Sequence, residues 1–113
     1  NHETTEILWA SPRQALMQYW AGDILLAPPQ IMSLSHLSLY QNVDHALEDA
    51  AQRTPPVIQP ESFDVEGMRV ICYPGDPRHS VQVRALPGPS RLHFRNDRFE
   101  PEGGLSEFLH GKL

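Results

Sequence analysis

Proline is what most restricts this chain. Eleven prolines fall within 113 residues, about twice the usual share of ~5%. They group at Pro28-Pro29, Pro55-Pro56, Pro74/Pro77 and Pro87/Pro89. Each group removes backbone N–H donors and fixes φ, so no long helix or central strand runs through it. The chain must therefore fold as short elements.

Between the prolines, the local signals are specific. Residues 3–10 (Glu-Thr-Thr-Glu-Ile-Leu-Trp-Ala) are rich in β-branched and aromatic types and read as a strand. Ser11-Pro12-Arg13-Gln14 follows, with serine at the N-cap, proline at N1 and glutamine at N3 of a capping box. That helix carries Ala15, Leu16, Tyr19 and Trp20 on its apolar stripe, and Gly22 stops it. A second helix is expected from about Pro29, burying Ile31, Leu34 and Leu37. Asn42 is placed to cap a third, over 43–52, with Val43, Ala46, Leu47 and Ala50 inward and Asp44, Glu48, Asp49 and Arg53 outward.

From residue 56 the periodicity changes to two. Val57-Ile58 leads to a turn near Asp64 to Gly67. Met68, Val70 and Cys72 then alternate with Arg69, Ile71 and Tyr73. Pro74-Gly75 suits the centre of a type II turn. Val81, Val83 and Ala85 continue in strand fashion, and Asn96-Asp97 turns the Leu92/Phe94 strand into Arg98-Phe99. Leu105, Phe108 and Leu109 suit one short docked helix. The expected class is α+β: an N-terminal strand, three helices, then a small antiparallel meander. Residues 1–54 read as a strand-helix unit, with 55–113 as a β-rich extension packed on it.

The net charge of −5 is unevenly spread. Residues 1–66 hold nine acids against Arg13 and Arg53, while residues 67–113 hold seven bases against five acids. An acidic first half opposes general nucleic-acid binding or attachment to an anionic membrane. No apolar run approaches the ~18–20 residues of a transmembrane helix. The single cysteine, Cys72, cannot close an internal disulfide and suits a reducing, cytoplasmic setting.

Catalytic signatures are sparse. The chain has no G-x-G-x-x-G, no Walker sequence and no G-x-S-x-G elbow. Cys72 sits mid-strand among apolar residues, so it reads as a buried structural cysteine and not a nucleophile. The six histidines show no metal-ligand spacing, and no metal site is expected from this chain. Arg78, His79, Arg91, His93, Arg95 and Arg98 could form a phosphate-recognition face, but a solvated strand face is the favoured reading. Glu3 and Glu6, with Thr4 and Thr5 between them, could hold Mg²⁺ or act as a base, although exposed glutamates usually do neither.

One conjunction of motifs points further. The stretch from Glu3 to Leu16 (E-T-T-E-I-L-W-A-S-P-R-Q-A-L), then Ile24-Leu25-Leu26-Ala27-Pro28-Pro29-Gln30, then Tyr73-Pro74-Gly75-Asp76-Pro77 resembles the segment after the catalytic helix in Nudix hydrolases. The longer combination looks like the branch of the peroxisomal coenzyme A diphosphatases and related bacterial Nudix proteins. The resemblance covers most of residues 3–77. It implies Mg²⁺-assisted hydrolysis of a diphosphate joined to another group, with metal-binding glutamates drawn from the box G-x5-E-x7-R-E-U-x-E-E-x-G-U. No such box occurs in the 113 residues. The chain is thus expected to be the C-terminal portion of an incomplete Nudix fold, a fragment that is not catalytic alone. The parent protein would carry the Mg²⁺ and take a nucleoside-diphosphate or coenzyme A-like substrate. Glu3 is the nearest match to a loop glutamate that assists as base in some family members. By the same analogy, Leu25 to Gln30 and the following helix border the substrate pocket. The rival expectation is a non-catalytic interaction module, with a homodimer as its simplest form. A self-contained small enzyme has no catalytic constellation to rest on.

Overall fold

The computed structural model describes residues 10–109. In chain order these form α1 (Pro12–Ala21), α2 (Pro28–Leu37), α3 (Val43–Ala51), β1 (Glu61–Val65), β2 (Met68–Cys72), β3 (Arg91–Arg95), β4 (Arg98–Glu100) and a 3₁₀ turn, Leu105–Glu107. The class is α+β. The strand expected over 3–10 lies outside the described residues.

The helix ends follow their local chemistry. The Ser11 hydroxyl accepts the Gln14 N–H at 3.1 Å, and the Gln14 side chain accepts the Ser11 N–H at 3.0 Å. Gly22, at φ 89°, closes α1. Its N–H reaches the Tyr19 carbonyl and that of Asp23 reaches Gln18, a Schellman ending. α2 begins at Pro28, one residue earlier than expected, and the Gln30 side chain accepts the Ala27 N–H at 2.8 Å. Asn42 caps α3 through the His45 N–H at 2.8 Å.

The sheet is a four-stranded antiparallel meander in the order β1-β2-β3-β4. Two tight turns set it. Glu66 and Gly67 both have positive φ, as do Asn96 and Asp97, which is what two-residue hairpin turns of the primed kind require. The register aligns Phe63, Val70, His93 and Glu100 across the strands, next to the row Glu61, Cys72 and Arg91. One sheet face therefore carries Val70 and Cys72 together with the arginines of β3 and β4. The opposite face presents Ile71, Leu92 and Phe99 to the helices. The core joins Leu16, Tyr19, Ile31 and Met32 to Tyr73, Leu92 and Phe108. Tyr19 ties the layers directly: its hydroxyl donates to the Phe99 carbonyl at 2.9 Å and accepts the Phe99 N–H at 2.8 Å. It thereby covers the outer edge of β4.

Four expectations are corrected. First, Leu37 is 45% exposed, and besides the expected Ile31 α2 buries Met32 and Ser35. A buried serine is stable here because its hydroxyl donates to the Phe108 carbonyl at 2.7 Å. Second, α3 buries no residue: Val43 is 72% and Leu47 62% exposed. The helix is held by its polar side. Asp49 accepts from Tyr40 and pairs with Arg53 at 3.0 Å, which turns the apolar stripe outward. Third, residues 81–85 form no strand. Their polar groups serve the preceding loop: Gly75 donates to the Val81 carbonyl at 2.9 Å, and the Val81 N–H donates to His79 Nδ1 at 2.9 Å. Val57-Ile58 is likewise irregular, and the strand that pairs with β2 begins at Glu61.

Candidate functional site

Beside α2 lies a cavity of about 460 Å³ with mostly apolar walls. Pro29, Met32, Ser33 and His36 come from α2, Arg53 to Pro60 form the proline-rich wall, and Tyr73 and Leu86 close the far side. Of the segment from Leu25 to Gln30, Pro29 lines this cavity. Mostly apolar walls with few polar groups are the usual make-up of a small-molecule site.

Two polar residues of its lining, His36 and Arg53, join Tyr40 outside it in one network. Arg53 Nη2 donates to the Tyr40 hydroxyl at 3.3 Å and lies 3.3 Å from His36 Nε2, which is itself 3.2 Å from the Tyr40 hydroxyl. Burial, and then the Arg53 charge, lower the His36 pKa, so the ring is neutral near pH 7. The hydrogen bond from Tyr40 lowers the Asp49 pKa. Deeper in, burial pushes the Tyr73 hydroxyl up to about 12, and that hydroxyl has no hydrogen-bond partner among the described residues. The arrangement can bind and orient a ligand.

The Pro74-Gly75-Asp76 turn adjoins this cavity. Asp76 N–H donates to the Tyr73 carbonyl at 3.0 Å and Gly75 has φ 100°, as a type II turn requires. A Cβ on Gly75 would lie 2.9 Å from Arg84 Cα, so only glycine lets residues 81–84 approach. The Asp76 carboxylate is fully buried. It accepts from Arg91 Nε and Nη2 at 2.7 and 2.6 Å, from the Ser90 hydroxyl at 2.8 Å and from the Arg78 N–H at 2.9 Å. Burial alone would raise its pKa, but these donors outweigh burial and hold it at about 2.

The residues read as a solvated strand face, with phosphate recognition as the alternative, are mostly engaged within the chain. Arg91 is committed to Asp76, and Arg95 and Arg98 to Glu100. His79 Nε2 meets the Gln59 carbonyl at 2.7 Å. Arg78 lies over the Phe63 ring at 3.9 Å. His93 is buried, and burial followed by Arg95 lowers its pKa. Cys72 is fully buried, with its thiol pKa raised by burial, as a structural cysteine should be.

Glu3 and Glu6 lie outside the described residues. Among the described residues no three His, Cys, Asp or Glu side chains converge to hold a metal ion. Their best-placed carboxylates are engaged: Asp49 and Asp76 as above, Asp64 with Arg69, and Glu61 with Ser80. These residues do not fit the Mg²⁺ site that the resemblance implies. No helix among them is long and apolar enough to cross a membrane.

Sequence reasoning did not single out Tyr40, Tyr73 or Arg53 for any role at this cavity. Nothing local links Arg53 to His36, seventeen residues apart.

Comparison with known proteins agrees with the motif resemblance at a coarse level. Over 74 residues the chain is 30% identical to a Caenorhabditis elegans protein described as "Putative nudix hydrolase 7". The aligned stretch is 66% of this chain and 25% of that protein, so the chain spans about a quarter of its relative. No protein-family profile and no solved structure matches the chain. The similarity relates this sequence to a Nudix hydrolase.

Proposed function

We propose that the chain is the C-terminal part of a Nudix-type hydrolase of nucleoside-diphosphate derivatives, coenzyme A-like ones among them, and that it is not catalytic alone. The 74-residue similarity to the nematode protein carries this reading. The missing box supports its second half: the 113 residues lack the glutamate pattern that would gather Mg²⁺. In the whole protein, which we place in the cytoplasm, box and ion would come from other sequence, and Glu3 would assist as base. The α2 cavity would contribute to substrate binding.

The test is turnover. The isolated chain, given Mg²⁺ and a panel of nucleoside-diphosphate derivatives, is expected to release no product above buffer. A longer version carrying a box is expected to be active, and Glu3→Gln in it to lower kcat by roughly 10²-fold or more if the glutamate is a base. Mg²⁺-dependent turnover by the isolated chain, or a whole protein without a box, overturns the reading.

The outward stripe of α3 favours a second reading, an interaction or dimerisation module. Val43 and Leu47 are both more than half exposed. They adjoin an apolar groove of about 580 Å³ lined in part by Pro12, Leu37, Tyr40 and Ala46. Exposed apolar surface of this kind often marks a contact. Light scattering after size exclusion separates the readings. A dimer that Val43→Glu with Leu47→Glu returns to monomer supports the module, and a monomer unaffected by both changes removes its homodimeric form.

A further inference from the structure

We infer that the chain pairs with a second copy of itself along the open edge of β1, so that the two meanders join as one sheet. Among the described residues the sheet has two unlike edges. The outer edge of β4 is tied to Tyr19, whereas β1 pairs with β2 alone. The two-residue turn makes Val65 and Met68 the hydrogen-bonded pair that closes the hairpin. Alternation from there gives the N–H and C=O of Glu61, Phe63 and Val65 to β2 and points those of Ser62 and Asp64 outward. Both of these residues are exposed, and their backbones have no other partner among the described residues. β1 reads Glu-Ser-Phe-Asp-Val, with no proline, lysine or bulge to block the edge.

A second copy fits this edge by register and by charge. Pro60 precedes the strand and the Glu66-Gly67 turn ends it. The antiparallel alignment of β1 on itself that uses its whole length is therefore centred on Phe63. In that alignment Ser62 exchanges both backbone bonds with the second copy's Asp64, and Asp64 with its Ser62. Phe63 faces Phe63 as a close, non-hydrogen-bonded pair, and Glu61 faces Val65. Aromatic residues directly opposite each other stabilise paired strands, and like charges so placed would destabilise them; here none are. The acids at the edge are already compensated. Asp64 pairs with Arg69 at 2.9 Å. Glu61 accepts the Ser80 N–H at 3.0 Å, and the Arg78 guanidinium lies 3.9 Å from the centre of the Phe63 ring. Glu61 and Asp64 against Arg69 and Arg78 leave the edge neutral, although the whole chain carries −5. Two copies that repel elsewhere can thus approach here. Since Tyr19 covers β4, the two-fold contact closes on itself and the assembly stops at a dimer.

This interface uses a different surface from α3, so it goes beyond the module reading, and it stands apart from the hydrolase reading. A contact one strand wide is small, so light scattering is expected to show weak, concentration-dependent association. Ser62→Pro removes only an outward N–H. It is expected to raise the dimer dissociation constant at least tenfold while the melting temperature stays within a few degrees. Cysteine pairing tests the register. Cα atoms across a non-hydrogen-bonded pair lie ~4.5 Å apart, within disulfide range, and only residue 63 faces itself. Under a mild oxidant Phe63→Cys is expected to cross-link at least tenfold faster than Ser62→Cys; Cys72, being buried, does not compete. Val43→Glu with Leu47→Glu should leave this dimer intact. A chain that stays monomeric up to about 1 mM overturns the inference and leaves the edge to an extended segment of another protein. Equal cross-linking rates overturn it too, as does a dimer that survives a folded Ser62→Pro or that the α3 changes undo. If Ser62→Pro does not fold, the cross-linking rates decide. No outcome depends on turnover, so failure here leaves the hydrolase test untouched.

Discussion

Phe108→Ala is expected to destabilise the chain by about 3–5 kcal/mol, the range for removing a buried aromatic ring. The ring is fully buried, and it meets Trp20 edge-on at 6.0 Å between centroids. It follows the last regular turn, yet it lies in the same core as Leu16, Ile31 and Leu92. The effect reaches both layers, since α1 and α2 contribute the residues it touches and Leu92 belongs to β3. At roughly 0.24 kcal/mol per kelvin of unfolding entropy for a domain this size, the melting temperature should fall by about 13–21 °C. Far-ultraviolet and near-ultraviolet circular dichroism should report one coincident transition. The Phe108 carbonyl keeps its bond from Ser35 in the variant, so the loss isolates the ring. A drop of only a few degrees would mean that the C-terminal turn is a surface appendage. Two separated transitions would mean that helices and sheet unfold independently.

The sequence was legible wherever one residue decides a local backbone choice. Ser11 with Gln14, Asn42, Gly22, Pro74-Gly75 and Asn96-Asp97 each act within four residues, and each appears in the structure as its chemistry requires. Orientation was harder. The α3 stripe has helical spacing, but whether it faces inward depends on Tyr40 and Arg53 gripping Asp49 from the other side. Strand register was equally hidden. Val70 and Cys72 are apolar, so they suggest the core face, whereas pairing with His93 and Arg91 puts them on the arginine side. The valines at 81 and 83 have strand composition, but the Pro74–Asp76 turn claims the neighbouring backbone first. The α2 cavity was not legible in the sequence, because its walls come from four separate stretches of chain.

Asp76→Asn is expected to cost about 3 kcal/mol and roughly 12 °C of melting temperature near neutral pH. An asparagine keeps the shape and can still accept from the Arg78 N–H. It cannot match both Arg91 donors, which leaves a mostly covered guanidinium without its counter-charge. The pH dependence provides an independent check. The Asp76 carboxyl titrates at about 2 in the folded chain, below its ordinary 3.8. A depressed carboxylate contributes stability that is fully present above the unfolded value and is lost as pH falls through the folded one. The natural chain should therefore lose roughly 2 kcal/mol from this group between about pH 4 and pH 2, and the variant should lack that component. Arg91→Met added to Asp76→Asn should recover part of the loss, because it removes the stranded charge. If the double variant is instead as unstable as the two single changes added together, the pair is not coupled. The stability of the turn would then rest on Pro74 and Gly75 alone, and the acid profile of Asp76→Asn would match that of the natural chain.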